Sequence, residues 1–87
     1  MALLVKKFGG TSVGDIKKIQ NIAGNICQSK EAGNEIVVVV SAMGKTTDDL
    51  NCLAESISKN PNRRELDMLL STGEQVTIAL LLSLIHI

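Results

Sequence analysis

The sequence predicts an α/β chain that opens with a βαβ unit. Three observations carry that prediction: a short apolar run, Leu3–Phe8, that breaks into glycines; isoleucines at helical spacing from Ile16 to Ile26; and the β-branched run Ile36–Val40. A strand without polar alternation is expected to be covered on both faces, as in a parallel sheet between helix layers. Strand, helix and strand of these lengths form a right-handed crossover.

Each element follows from its residues. Leu3–Phe8 is strand-like and ends at Gly9-Gly10. Over Asp15–Lys30, Ile16, Ile19, Ile22, Ile26 and Cys27 share one helical face, while Lys17, Lys18, Gln20 and Asn21 occupy others. Ser12 or Asp15 supplies the N-cap, Lys30 suits the last turn, and Gly33 stops the helix. Gly24 costs that helix about 1 kcal/mol relative to alanine, which predicts close approach by another backbone. After the loop Ser41–Thr46, a second helix is expected, with Thr46 and Asp49 as a capping box and Leu50, Leu53, Ala54 and Ile57 facing inward. Asn60-Pro61-Asn62 ends it. A third helical region opens near Arg64, breaks at Ser71-Thr72-Gly73 and resumes at Glu74. The apolar run 76–87 falls short of the about 20 residues of a membrane span, and reads as a buried helix whose partners lie outside this chain, as in a piece of a longer protein.

Composition narrows the function classes. In 87 residues, 9 basic and 9 acidic side chains cancel and are scattered, which argues against a nucleic-acid or membrane-surface partner. Phe8 is the one aromatic residue, so base-stacking platforms are excluded. Cys27 and Cys52 form no ligand cluster, and the amino terminus has no leader-like pattern. The expectation is a cytoplasmic chain with two reduced, partly buried thiols.

In open α/β sheets ligands sit at the carboxyl ends of strands, here Gly9-Gly10 and Ser41–Thr46. The dinucleotide fingerprint fails because Thr11 stands where a second glycine is needed. A Walker A loop ending in Gly44-Lys45-Thr46 fails because Val39 holds the leading position. The physics of anion binding survives both failures: glycine amides approach an oxygen closely, and Lys7 adds a full positive charge. A tight turn with a solvated lysine accounts for the same residues.

Three blocks, "KFGGTSVGD" at 7–15, "VVVVSAMGKTTDDL" at 37–50 and "RELDMLLSTGEQVTIALL" at 64–81, strongly resemble the aspartokinase family. The resemblance covers residues 1–82 as part of an amino-acid kinase domain. It implies an incomplete three-layer α/β/α sandwich of the carbamate-kinase-like kind. The tail 83–87, "SLIHI", does not match and is expected to be foreign or artefactual.

The resemblance also implies an activity, ATP-dependent phosphorylation of the side-chain carboxylate of L-aspartate to 4-phospho-L-aspartate. This opens the route to lysine, threonine and methionine. Lys7, Phe8, Gly9 and Gly10 match the ATP-phosphate segment, with Lys7 in the catalytic role; Ser41 matches a nucleotide contact. Thr47 and Glu74 match substrate contacts, and Thr11, Ser12 and Thr72 are neighbours. His86 matches neither a base nor a ligand. Mg²⁺ is expected to arrive on the nucleotide, without a protein metal cage. Longer relatives imply oligomers and feedback by lysine or threonine through further domains.

Local alternatives stand beside these roles. Ser41 can bond its own loop, Thr47 can cap the second helix, and Glu74 can be a first-turn acid favoured by the helix dipole. Two other functions also stay open: a glutamate-type amino-acid kinase, and a non-catalytic chain that docks a partner through its apolar last helix. The aspartate reading suits the residue types, because a carboxylate nucleophile with a pKa of about 3.9 is already ionised and needs no general base.

Overall fold

The computed structural model describes residues 2–85, so the expectation for His86 and the end of the 83–87 tail lie outside the described residues. Its elements are β1 (Leu3–Phe8), α1 (Ile16–Glu31), β2 (Glu35–Val40), α2 (Thr46–Ile57) and α3 (Arg63–Leu84). The strands pair in parallel from Leu3–Glu35 to Phe8–Val40, and α1 makes the crossover. The expected βαβ unit is present.

One face of this sheet is covered. Phe8, Ile36, Val38 and Val40 pack on a core of Val13, Ile19, Ile22, Ala23, Ile26 and Leu81, drawn from the first loop, α1 and α3. The other face is bare: Val37 and Val39 stay 49% and 45% exposed, beside Leu3 and Val5. Two-sided burial of β2 is therefore corrected to one-sided burial among the described residues. The β-branched run records a demand for cover, and α1 and α3 lie on a single side.

Local chemistry sets the helix ends. Asp15, rather than Ser12, caps α1, its Oδ1 accepting the Lys18 amide at 2.9 Å. Gly33 follows the end of α1 at φ +93°, a left-handed conformation that glycine adopts without strain. Gly24 corrects the expectation of a close backbone, since nothing lies within 4 Å of a methyl built there. Gly24→Ala is accordingly expected to stabilise the chain by about 0.5–1 kcal/mol, read as a rise of several degrees in Tm.

Three further expectations change. The Thr46–Asp49 capping box is absent: Lys45 is the N-cap and makes no side-chain cap bond, and Thr46 lies inside the helix. On α2, Leu50 and Ala54 are half-buried against α3, but Leu53 is exposed and Ile57 is 89% exposed, because α2 packs on α3 and not on the sheet. Cys27 is half-buried and Cys52 is exposed, both free, so only one of the thiols is partly buried.

The expected break at Ser71-Thr72-Gly73 is also corrected. Helix α3 is continuous from its Asn62 cap to Leu84. Ser71 Oγ and Thr72 Oγ1 donate back to the Met68 and Leu69 carbonyls at 2.7 and 2.6 Å, so their hydroxyls are satisfied within the helix. Thr77 and Leu81 are buried, whereas Val76, Ile78 and Leu82 are exposed. No helix among the described residues is long and apolar enough to cross a membrane.

Candidate phosphate and amino-acid site

Parallel pairing places the carboxyl ends of β1 and β2 at one edge, so the loops 9–15 and 41–45 lie together. The Gly44 amide donates to the Gly10 carbonyl at 3.3 Å and ties them. Gly44 has φ +50°, and a methyl there would stand 3.4 Å from the Gly14 oxygen. At Gly10 a methyl would stand 3.3 Å from the Ala42 oxygen. The middle of α3 meets the same place: a methyl on Gly73 would stand 3.0 Å from both Ala42 Cβ and Thr46 Cγ2. Two strand ends and the middle of α3 thus share one joint around Ala42.

The first loop is wound on itself. The amides of Ser12 and Val13 donate to the Gly9 carbonyl at 3.0 and 3.3 Å, and that of Gly14 to Thr11 at 3.3 Å. The fully buried Val13 side chain pins the loop to the core. Lys18 Nζ donates to the Thr11 carbonyl at 3.1 Å from the first turn of α1. Among the described residues, the amides of Gly9, Gly10 and Thr11 have no acceptor. A row of unpartnered N–H groups on a glycine turn is the arrangement that receives anionic oxygens.

The two lysines of β1 divide by strand alternation. Lys6 turns toward α1, its Nζ donating to Asn25 Oδ1 and Ser29 Oγ, both at 2.7 Å. Lys7 therefore projects from the opposite face, and it is exposed with no hydrogen-bond acceptor among the described residues. Phe8 turns its ring into the core, leaving its backbone at the edge.

Of the remaining expected site residues, Ser41 is half-buried at the end of β2, and its hydroxyl makes no hydrogen bond to its own loop among the described residues. Thr47 is exposed in the first turn of α2 and caps nothing. Glu74 is exposed in the middle of α3, one residue beyond the joint, so it is not a first-turn acid. Thr11 and Ser12 line a shallow cleft of about 380 Å³ with Lys18, Asn21 and Ile22. A second hollow, between α1, β2 and α3, is apolar and contains none of these residues.

Sequence reasoning missed Ala42, Gly73 and Lys18 as parts of this edge. The signal was a glycine inside an otherwise helical stretch, which read as a break rather than a contact. No group of three or more His, Cys, Asp or Glu that could hold a metal occurs among the described residues.

Comparison with known proteins bears on this geometry. The model of the amino acid kinase family matches residues 2–86. An aspartokinase of Geobacillus stearothermophilus is 59% identical over 86 residues, covering 99% of this chain and 21% of that protein. Aspartokinase 2 of Bacillus subtilis is 62% identical over 81 residues, covering 93% and 20%. The crystal structure of an aspartate kinase from Synechocystis superposes with a TM-score of 0.90 at 64% identity, covering 94% of this chain and 14% of that one. The chain spans about a fifth of the length of the curated relatives it matches.

Proposed function

The chain belongs to the amino acid kinase family, and on that premise we propose that it forms part of an aspartate kinase, contributing the phosphate grip and part of the amino-acid grip. One observation carries the reading: the unpartnered amides of Gly9, Gly10 and Thr11 sit on a loop tied to the loop that packs against α3 beside Glu74.

Lys7 and these amides hold the γ-phosphate oxygens of ATP, with Ser41 toward the nucleotide and Phe8 contributing backbone. Thr47 and Glu74 hold L-aspartate, Glu74 through the α-ammonium group. A side-chain carboxylate oxygen forms a bond to the γ-phosphorus as the bond to the β–γ bridging oxygen breaks, giving 4-phospho-L-aspartate and ADP. The electron pair leaves with ADP, and no proton has to be removed from the nucleophile. The main obstacle is repulsion between two anions, which fixed N–H dipoles and an ammonium offset. Mg²⁺ arriving with the nucleotide would supply further charge compensation at the phosphates, beside Lys7 and the glycine-turn amides. The reading includes a cytoplasmic, oligomeric enzyme at the start of aspartate-derived amino-acid synthesis, with no nucleic-acid or membrane partner.

The test grafts this chain in place of the matching segment of the Geobacillus stearothermophilus relative. Aspartate-dependent ADP release, with the acyl phosphate trapped by hydroxylamine, is the expected result. Preference for glutamate, or no turnover with either amino acid in a folded graft, overturns the proposal.

A further inference from the structure

We infer that Gly73 is a positioning residue: by letting α3 close onto Ala42 and Thr46, it sets the separation between the phosphate-holding turn and Glu74. The inference rests on the proposed roles of Lys7 to Thr11 and of Glu74, and adds a residue that touches neither ligand.

Ala42 is held from two sides. Gly10 lies against its carbonyl oxygen, where a methyl would stand at 3.3 Å, and Gly73 lies against its Cβ, where a methyl would stand at 3.0 Å. Ala42 is only 4% exposed, so it has no open side to move into. A methyl on Gly73 would also meet Thr46 Cγ2 at 3.0 Å and Leu50 Cδ1 at 3.4 Å.

Neither of the two closest atoms is the far end of a flexible side chain. Ala42 Cβ is fixed to the backbone, and Thr46 is a β-branched residue in the first turn of α2 with few χ1 choices. In a close-packed joint the overlap is relieved by sliding α3 away from the loop 41–45. That slide displaces Glu74, the next residue of α3, relative to the loop that Gly44 ties to Gly10. Gly24 is the internal control: it is also a glycine inside a helix, but a methyl there has nothing within 4 Å.

In the grafted enzyme, Gly73→Ala is expected to lower kcat by about 10- to 100-fold, the cost of misplacing one reactant by a fraction of an ångström to an ångström, with the KM for ATP held within about twofold. Adding Ala42→Gly and Thr46→Ser, which delete the two opposing carbons, is expected to restore kcat to within about threefold, and Gly24→Ala to leave it unchanged. Ala42→Gly alone loosens the same contact without adding volume and covers the case in which Gly73→Ala does not fold; it is expected to lower kcat by about 3- to 10-fold.

In the 87-residue chain itself, Gly73→Ala is expected to shift the amide resonances of Gly10 and Gly44, and Gly24→Ala to leave both in place. Unchanged kcat in folded Gly73→Ala or Ala42→Gly grafts, or a loss that the compensating pair does not restore, overturns the inference. An inactive unsubstituted graft is instead a failure of the proposed function. The positioning inference is then decided by the Gly10 and Gly44 resonances, and unmoved resonances overturn it.

Discussion

Replacing Lys7 with alanine in the grafted enzyme is expected to lower kcat by about 10²–10³-fold and to leave the KM for aspartate within about twofold, the loss typical of one preorganised donor to a developing charge. The expectation follows from strand alternation. Lys6 and Lys7 are adjacent and chemically identical, yet Lys6 is committed to Asn25 and Ser29 of α1 on the helix-covered face. Lys7 projects from the bare face, next to the strand end where the amides of Gly9, Gly10 and Thr11 have no acceptor. The partner assay is Lys6→Ala, expected to leave kcat within about threefold and to lower the unfolding midpoint through loss of two exposed or half-buried hydrogen bonds. Equal losses at both positions would mean that the lysines serve the strand and not the phosphate. Steady-state kinetics on the two variants and circular dichroism melts decide between these outcomes.

Glu74→Gln is expected to raise the KM for aspartate by about 10- to 100-fold, the worth of a hydrogen bond between charged groups, while the KM for ATP is unchanged. Glutamine keeps the length and the oxygen of the side chain and removes the charge, so the change reports the pairing with an ammonium group. The structure removes the competing explanation. A carboxylate in the first turn of a helix is favoured by the dipole, but Glu74 lies in the middle of α3, well past its Asn62 cap. A purely structural Glu74 therefore predicts no change in either KM. Initial rates at varied aspartate and at varied ATP separate the two cases.

The βαβ frame was legible because its signals are local. The isoleucine spacing named Ile19, Ile22 and Ile26, which are buried, together with Ile16, which at the first turn stays 50% exposed, and Asp15 stood where a cap was needed. Continuity of α3 was not legible. Serine, threonine and glycine in a row each favour leaving a helix, and the opposing contact, Gly73 against Ala42 and Thr46, is made by residues about thirty positions away. The covering of each apolar face was half legible: a pattern marks Val37, Val39, Leu53 and Ile57 as apolar without saying what packs on them, and all four stay exposed among the described residues.

The site divides in the same way. Its glycines and Lys7 were readable from residue type alone as a candidate anion grip, in competition with a plain turn. Ser41, Thr47 and Glu74 were visible only through resemblance, because a lone hydroxyl or acid at a helix start has sufficient structural uses. Ala42 gave no signal, since a small apolar residue after a strand is ordinary. Its importance is its position, with Gly10 on one side and Gly73 on the other.

The most direct measurement is a crystal structure of the grafted enzyme with L-aspartate and an ATP analogue whose β–γ bridge resists cleavage. The account predicts γ-phosphate oxygens about 2.7–3.2 Å from Lys7 Nζ and from amides of the Gly9–Thr11 turn, with the amino acid's ammonium on Glu74 in the same hollow. Phosphates bound elsewhere, or Lys7 and Glu74 opening into separate hollows, would contradict it.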